Sequence, residues 1–212
     1  MDVQIYENKA NIDFTDLNSK LLDYDYYSVK KEEIGIFHIN KLEDCIYHIV
    51  FYINDEYHTG SKFIGNVNSM PVNIYVNTFL SLNSNKLFIE NIHANYNKLI
   101  IEFINKLVGL EFIKLEFGTH FYKTIVQRLS KSVIQLDYIN DSDAIETVEN
   151  KLDAIDILNM NTNKIQFVTF IPNLNEYDKV LVSIKNNGVI STTVTIPNKL
   201  IKLLNIVVEY IE

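Results

Sequence analysis

Residues 55–66 combine, within one short stretch, most of the side-chain types that enzymes use. They read DEYHTGSKFIGN and hold two acids, a histidine, hydroxyl groups and a lysine. In this setting His58 could act as a general base that Asp55 or Glu56 orients. Catalytic triads are assembled from separate chain segments, however, and Gly, Asn, Ser and Asp are equally typical of a connection between strands. We therefore interpret 55–66 as a loop that turns between two strands.

Phosphate-loop, zinc and nuclease patterns all fail here on their spacing. A phosphate loop needs a lysine after its second glycine, whereas Lys62 precedes Gly65. The histidines show no paired helical spacing, and Cys45 is the only cysteine, so the sequence offers no zinc pattern. Glu111 and Lys114 lie three residues apart, and a strand would place them on opposite faces rather than around one Mg²⁺ ion. The sequence accordingly predicts neither a metal ion nor a cofactor.

An enzyme remains the alternative interpretation, because many active sites assemble only in the fold and have no local signature. It would be a hydrolase or a nuclease that uses carboxylates and histidines. Its candidate residues come from the 55–66 stretch and from a later βα unit, and they are Asp55, Glu56, His58, Lys62, Glu111, Glu116 and His120. A third interpretation is a protein that binds a small molecule or a nucleotide in a pocket between two subdomains.

The composition predicts a globular protein that contacts neither membranes nor nucleic acid. The 212 residues are 47% hydrophobic and 22% charged, enough for a sizeable core. Apolar runs are too short to span a bilayer and the first residues lack a secretory signal, so we expect a cytoplasmic protein. The net charge is −8 and Arg128 is the only arginine, which disfavours contact with nucleic acid. Abundant Lys, Asn and Ile indicate a low-GC bacterium or phage, a setting compatible with a defence-related role.

Two sequence features suggest contact with other proteins. The stretch LLDYDYYSVKK places Tyr24, Tyr26 and Tyr27 between acids, and tyrosines are enriched in interface hot spots. The last fifteen residues are apolar well beyond one helical stripe, so that helix must be buried in its own core or against a partner. Both features favour an oligomer or a complex, although tyrosines also pack ordinary half-buried strands.

Acidic residues are concentrated between residues 137 and 156. This segment holds seven acids against Lys151 alone. A helix is predicted at 142–158, and 3–4 spacing places four of the acids along it, namely Glu146, Glu149, Asp153 and Asp156. Such a row is either a solvated helix face or a docking surface for a basic partner.

Apolar patterning predicts an α+β fold, with a mixed or antiparallel sheet, β-hairpins and packed amphipathic helices. Two hairpins are expected at 34–53 and 72–92, where β-branched and aromatic residues dominate. A β-α-β-α-β stretch is expected at 86–139, with Gly109 placed to end its first helix.

The last third of the chain changes character to a helix, a three-stranded meander and a closing helix. Asn187-Gly188 predicts a type I′ turn in the meander, and Pro197 is typical of the first turn of a helix. These changes predict two subdomains, 1–140 and 141–212, unless the two form one continuous domain. Taken together, the sequence favours a non-enzymatic protein–protein interaction module over an enzyme.

Overall fold

The computed structural model describes most of the chain, namely residues 1–8, 33–43, 45–60, 67–109, 111–160 and 164–210. The described residues form eleven β-strands and four α-helices, which confirms the α+β class and makes strands the dominant element. Among them, no helix combines the length and apolar character needed to cross a membrane. Contacts divide the chain into two compact units, Asn8–Phe112 (the hairpin unit) and Met1–Glu7 with Ile113–Glu212 (the meander unit).

The elements follow one another in the order that the sequence predicted over its central part. In chain order they are β1 (Asp2–Asn8), β2 (Ile34–Glu43), β3 (Ile46–Gly60), β4 (Val67–Ser81), β5 (Lys86–Glu90), α1 (Ala94–Val108), β6 (Phe112–Lys114), α2 (Thr119–Thr124) with a π-helical continuation (Ile125–Leu129), β7 (Ser130–Ile139), β8 (Ile145–Val148), α3 (Lys151–Asn159), β9 (Lys164–Pro172), β10 (Val182–Lys185), β11 (Val189–Thr192) and α4 (Pro197–Val208). The run from β5 to β7 is the expected β-α-β-α-β stretch.

The hairpin unit is a four-stranded antiparallel sheet with helix α1 on one face, in the strand order β2-β3-β4-β5. Ile49, Phe51 and Ile53 alternate along β3 and are almost fully buried, as their period of two predicts. Phe103 of α1 packs edge-on against Phe51, with 5.7 Å between the ring centroids. Gly109 ends α1 with φ of 70°, the left-handed conformation expected for a glycine after a helix.

Strands β3 and β4 extend further than the sequence indicated. Residues 55–60, predicted to lie in a loop, continue β3 and pair in register with residues 67–72 of β4. The prediction was wrong there because strand length is set by pairing with a distant segment, while turn-forming residue types report only local preference. Residues 61–66, with Lys62, lie outside the described residues.

The meander unit contains the other seven strands. Its main order is β1-β11-β10-β9-β7-β8, with β6 pairing against β1. Helix α2 and its π-helical continuation bury one apolar side, formed by Phe121, Tyr122, Ile125, Val126 and Leu129. The predicted subdomain boundary near residue 140 falls inside this unit, in the turn that joins β7 to β8.

The acidic helix predicted at 142–158 is wrong in its first half. Ile145–Val148 forms strand β8, which pairs with β7, and α3 starts only at Lys151. The turn before β8 is closed by Asn140, whose Oδ1 accepts hydrogen bonds from the backbone N–H groups of Ser142 (2.8 Å) and Ala144 (3.0 Å). Three β-branched residues in Ile-Glu-Thr-Val favour a strand once β7 offers a pairing edge.

The meander is confirmed, but its last turn is of another type. A type I′ turn needs positive φ at both central residues, and only Gly188 has it, at 79°. Three residues, 186–188, join β10 to β11, which is the loop length served by a type I turn followed by a left-handed residue. Glycine is required there, because a Cβ on Gly188 would lie 2.0 Å from the carbonyl oxygen of Leu115.

Helix α4 begins with Pro197 in its first turn, as the sequence predicted. Most of its apolar residues are buried in this chain's own fold, namely Leu200, Ile201, Leu203, Leu204, Val207 and Val208. Burial within this chain accounts for these six side chains without a second subunit.

Candidate functional site

The distal part of the β3–β4 hairpin, formed by residues 55–60 and 67–72, is named the ribbon here. In the described part of the chain, pairing of β3 with β2 ends at Ile53, and pairing of β4 with β5 begins at Thr78. The ribbon therefore extends past both neighbouring strands. A two-stranded ribbon is only marginally stable in water by itself. We therefore expect contacts with the rest of the chain or with a binding partner to stabilise it.

Large apolar side chains are exposed on the ribbon. Tyr57 and Met70 face each other directly across the two strands, and they are 61% and 58% exposed. Cross-strand partners project from the same face of a sheet, so the two side chains form one exposed pair. Clustered exposed apolar groups are typical of interaction surfaces, whereas isolated ones need no explanation.

An acid at the base of the ribbon connects it to α1. The hydroxyl of Tyr96 donates a hydrogen bond to Oδ2 of Asp55, and the backbone N–H of Glu56 donates to Oδ1 at 2.7 Å. The bond to Asp55 raises the pKa of Tyr96, with smaller contributions from burial and from the Asp55 charge. Asp55 is thus an anchoring acceptor in this structure.

Aromatic side chains also cover the opposite face of the same hairpin. Tyr52 and Tyr75 are cross-strand partners, and Phe37 packs edge-on against Tyr75 with 4.8 Å between ring centroids. Phe37 sits in a β-bulge of β2 and is 60% exposed, while Tyr75 is 47% exposed. The Tyr52 ring lies over Gly35, where a Cβ would come within 2.5 Å of its hydroxyl oxygen. Both faces of the hairpin therefore expose aromatic groups close to the ribbon.

A chain of hydrogen bonds crosses three strands on that second face. Nε2 of His48 lies 2.9 Å from Oδ1 of Asn77, and Nδ2 of Asn77 donates to Oε2 of Glu90 at 2.7 Å. Because Asn77 donates through its amide nitrogen, its oxygen accepts, and His48 is the donor at Nε2. The His48 ring also stacks on Phe79, with 4.8 Å between centroids. This network links β3, β4 and β5 on the same face of the sheet as Tyr52 and Tyr75.

Two clefts among the described residues of the meander unit separate candidates that the sequence had grouped together. Glu116 lines a cleft of about 360 Å³ with Lys164 and Gln166. His120 lines a different cleft of about 300 Å³. The βα unit therefore does not place these two candidates in one cavity.

Three of the remaining candidate catalytic residues, Asp55, Glu56 and His58, lie close together on β3. Asp55 and Glu56 are successive in β3, so their side chains point to opposite faces of the strand. His58 pairs through its backbone with Ser69, and Glu111 is exposed. Within the described residues, no three or more His, Cys, Asp or Glu side chains converge on a position that could hold a metal ion.

The predicted partner-binding residues have separate positions. Tyr24, Tyr26 and Tyr27 lie outside the described residues. The acids do not share one helix face: Glu146 is in β8, Glu149 precedes α3, and Asp153 and Asp156 are on α3. Sequence reasoning missed Phe37, Tyr57, Met70 and Tyr75, which an extended alternation through β3 and β4 could have indicated.

Comparisons with known proteins add no assignment. No family model matches this chain, and no curated protein matches it in sequence. Any functional conclusion therefore depends on the side chains themselves.

Proposed function

We propose that this chain is a non-enzymatic protein–protein interaction module that binds its partner through the ribbon. The exposed pair Tyr57 and Met70 is the observation that carries this proposal, because it lies on the ribbon, which extends past β2 and β5 in the described part of the chain. Tyrosine and methionine are enriched in the cores of protein interfaces. Tyrosine supplies a large contact area with a hydroxyl, and methionine adapts its shape to an irregular pocket.

Charge indicates what the partner presents. The ribbon residues include Asp55 and Glu56 but neither Lys nor Arg, and the whole chain carries a net charge of −8. A second copy of the chain would add like charge, which opposes association. We therefore infer a different protein, with an apolar pocket for Tyr57 and Met70 and a rim of Lys and Arg side chains. Its setting would be the cytoplasm, in a complex of phage or bacterial defence, and both parts of that setting rest on composition alone.

Photocrosslinking from position 57 tests this proposal in living cells. Tyr57 is exchanged for photoreactive benzoylphenylalanine, and a matched probe replaces Leu152, which is 76% exposed on α3. We expect one protein to crosslink from position 57 and not from position 152. The added substitution Met70→Ser should reduce that adduct at least about fivefold, because it removes half of the apolar pair.

Three outcomes would contradict the proposal. The same proteins could crosslink from both positions, the adduct could survive Met70→Ser, or the only product could be a dimer of this chain. Light scattering separates the last outcome, since a self-associated chain exceeds the monomer mass of 24.7 kDa. With the identified partner, the rate of association should fall at least about tenfold between roughly 50 and 500 mM salt if Lys and Arg surround the pocket.

A further inference from the structure

We propose that the cleft of about 300 Å³ in the meander unit binds a nucleoside monophosphate or a ligand of the same class, a phosphate joined to a hydroxyl-bearing ring. The cleft lies between the polar side of the α2 segment and the residues that follow α4. Its charged and aromatic lining consists of His120, Lys123, Arg128, Glu209 and Tyr210. This inference is independent of the ribbon and of any protein partner.

The phosphate-binding side comes from one face of a helical segment. His120, Lys123, Thr124, Gln127 and Arg128 follow the 3–4 spacing that places residues along one side of a helix. The opposite side is the buried apolar surface described above, which fixes this row toward the cleft. The last turn is π-helical, a conformation found frequently at functional sites.

Positive charge is concentrated here in an otherwise acidic protein. From residue 117 to residue 136 the sequence contains no Asp or Glu, yet it contains Lys123, Arg128 and Lys131. Arg128 is exposed and Lys123 is half-buried, and neither forms an ion pair within the described part of the chain. Unpaired cations in a cleft attract an anion, and an arginine fork matches the geometry of phosphate oxygens.

Glu209 and Tyr210, which line the cleft together with the α2 segment, favour a ligand that carries more than a phosphate group. Glu209 adds a negative charge that repels a bare anion, but its carboxylate can accept hydrogen bonds from the hydroxyl groups of a sugar. Tyr210 is half-buried and offers a ring surface against which a base or a sugar can pack. A volume of about 300 Å³ lies at the lower end for ligand pockets, which suits a mononucleotide.

Calorimetric titration of the whole chain with four probes tests the ligand class. The probes are adenosine monophosphate, ribose 5-phosphate, adenosine and inorganic phosphate. We expect the monophosphate to bind most tightly and ribose 5-phosphate next, with adenosine and inorganic phosphate at least about tenfold weaker than the monophosphate. Absence of monophosphate binding up to about 10 mM would overturn the proposal. Equal affinity for inorganic phosphate would overturn its sugar-binding part.

Matched variants identify the cleft as the binding site. The double variant Lys123→Gln/Arg128→Gln should weaken monophosphate binding at least about tenfold, since it removes two charge-assisted contacts. Lys131→Gln is the control, because it removes one charge from the same acid-free segment at a position outside the cleft lining. An equal loss in the control would show general charge attraction and contradict a specific site.

Glu209→Gln provides a second test that does not depend on the basic residues. Loss of its negative charge should strengthen the binding of inorganic phosphate, while loss of its acceptor strength should weaken ribose 5-phosphate. A change of the same sign for both probes would contradict the assigned role of Glu209.

Discussion

Two neighbouring segments of the meander unit differ in what their charged side chains do. Segment 137–156 carries seven acids and Lys151, whereas segment 117–136 carries no acid and three Lys or Arg residues. In the acidic segment three of the acids, Asp137, Glu146 and Asp153, accept side-chain hydrogen bonds from nearby residues. In the basic segment two of the three cations, Lys123 and Arg128, line a cleft. Charge density by itself therefore does not identify a binding surface, because the partners of each charge decide whether it remains available.

Two acids of the β7–β8 hairpin, Glu146 and Asp137, accept hydrogen bonds from neutral side chains nearby. Glu146 accepts hydrogen bonds from the hydroxyl of Tyr138 (2.5 Å) and from Nδ2 of Asn140 (2.7 Å). Asp137 accepts from the hydroxyl of Thr147 at 2.7 Å. Tyr138 and Asp137 of β7 pair directly with Glu146 and Thr147 of β8. Both acids therefore contribute to hairpin structure, and Glu146 is one of the four acids for which the sequence offered a docking surface as an alternative to a solvated helix face.

The acidic and basic segments also differ in the hydrogen bonding of one buried tyrosine each. Tyr138 in the acidic segment and Tyr122 in the basic segment are both buried, and the pKa of each is raised. For Tyr138 the main cause is its hydrogen bond to Glu146, while for Tyr122 it is burial. The Tyr122 hydroxyl is buried with no hydrogen-bond partner among the described residues. A tyrosine hydroxyl therefore stabilises the acidic segment through a hydrogen bond, whereas in the basic segment its desolvation is not offset by a hydrogen bond to a described residue.

The largest expected effect comes from Asn140, which organises the turn of the acidic hairpin. Asn140→Ala removes two hydrogen bonds to backbone N–H groups and one to Glu146, so it should lower the free energy of unfolding by about 1–2 kcal/mol. Urea denaturation measures this change. The control is Gln127→Ala in the basic segment, at an exposed position, which should stay within about 0.5 kcal/mol of the wild type. An equal loss of unfolding free energy in Asn140→Ala and Gln127→Ala would contradict the proposal that only the acidic segment depends on these local hydrogen bonds.

Local signals in the sequence were sufficient for elements that depend on neighbouring residues. Gly109 and Pro197 mark the end of α1 and the start of α4 because the conformations they favour are set within one turn. Strand β8 was missed because Ile145–Val148 also fits a helical spacing, and its true partner β7 is recognised only through pairing. Non-local pairing likewise set the length of β3 and exposed Tyr57.

The candidate sites were less accessible to sequence reasoning than the fold. The cleft joins the α2 segment to Glu209 and Tyr210, which lie about eighty residues later, so no spacing in the sequence connects them. The sequence contains the acid-free run around Arg128, but nothing in it indicates that these residues line a cleft. Exposure of Met70 depends on where β2 and β5 stop pairing, a property of the whole sheet.

The next prediction concerns the pH dependence of the acidic hairpin. The hydrogen bonds from Tyr138 and Asn140 lower the pKa of Glu146, and the former is the larger cause. Tyr138→Phe should therefore raise the Glu146 pKa toward its ordinary value of 4.5, as measured by carboxyl-carbon NMR titration. An unchanged Glu146 titration would show that the hydroxyl contact does not persist in solution.

The sign of the linked stability effect follows from the same bond. A carboxyl with a lowered folded pKa contributes stability above its unfolded pKa and loses it as the pH falls through the folded value. The raised pKa of Tyr138 limits the stabilisation at high pH. The contribution of Tyr138 to stability is lost as the pH rises from 10.0, its ordinary pKa, through its higher pKa in the folded state. Wild type and Tyr138→Phe should therefore differ most between about pH 5 and 9 and converge at both extremes.

The smallest expected effect belongs to the other tyrosine and has the opposite sign. Tyr122→Phe removes a buried hydroxyl that has no partner while keeping a ring that contacts Phe117 and Phe121. It should leave stability unchanged or raise it by up to about 1 kcal/mol, measured by urea denaturation beside Tyr138→Phe. If Tyr122→Phe destabilised the chain as Tyr138→Phe does, the Tyr122 hydroxyl would have a partner in solution. The contrast between the two segments would then rest on their charged side chains alone, because Lys123 and Arg128 line the cleft whether or not the Tyr122 hydroxyl has a partner.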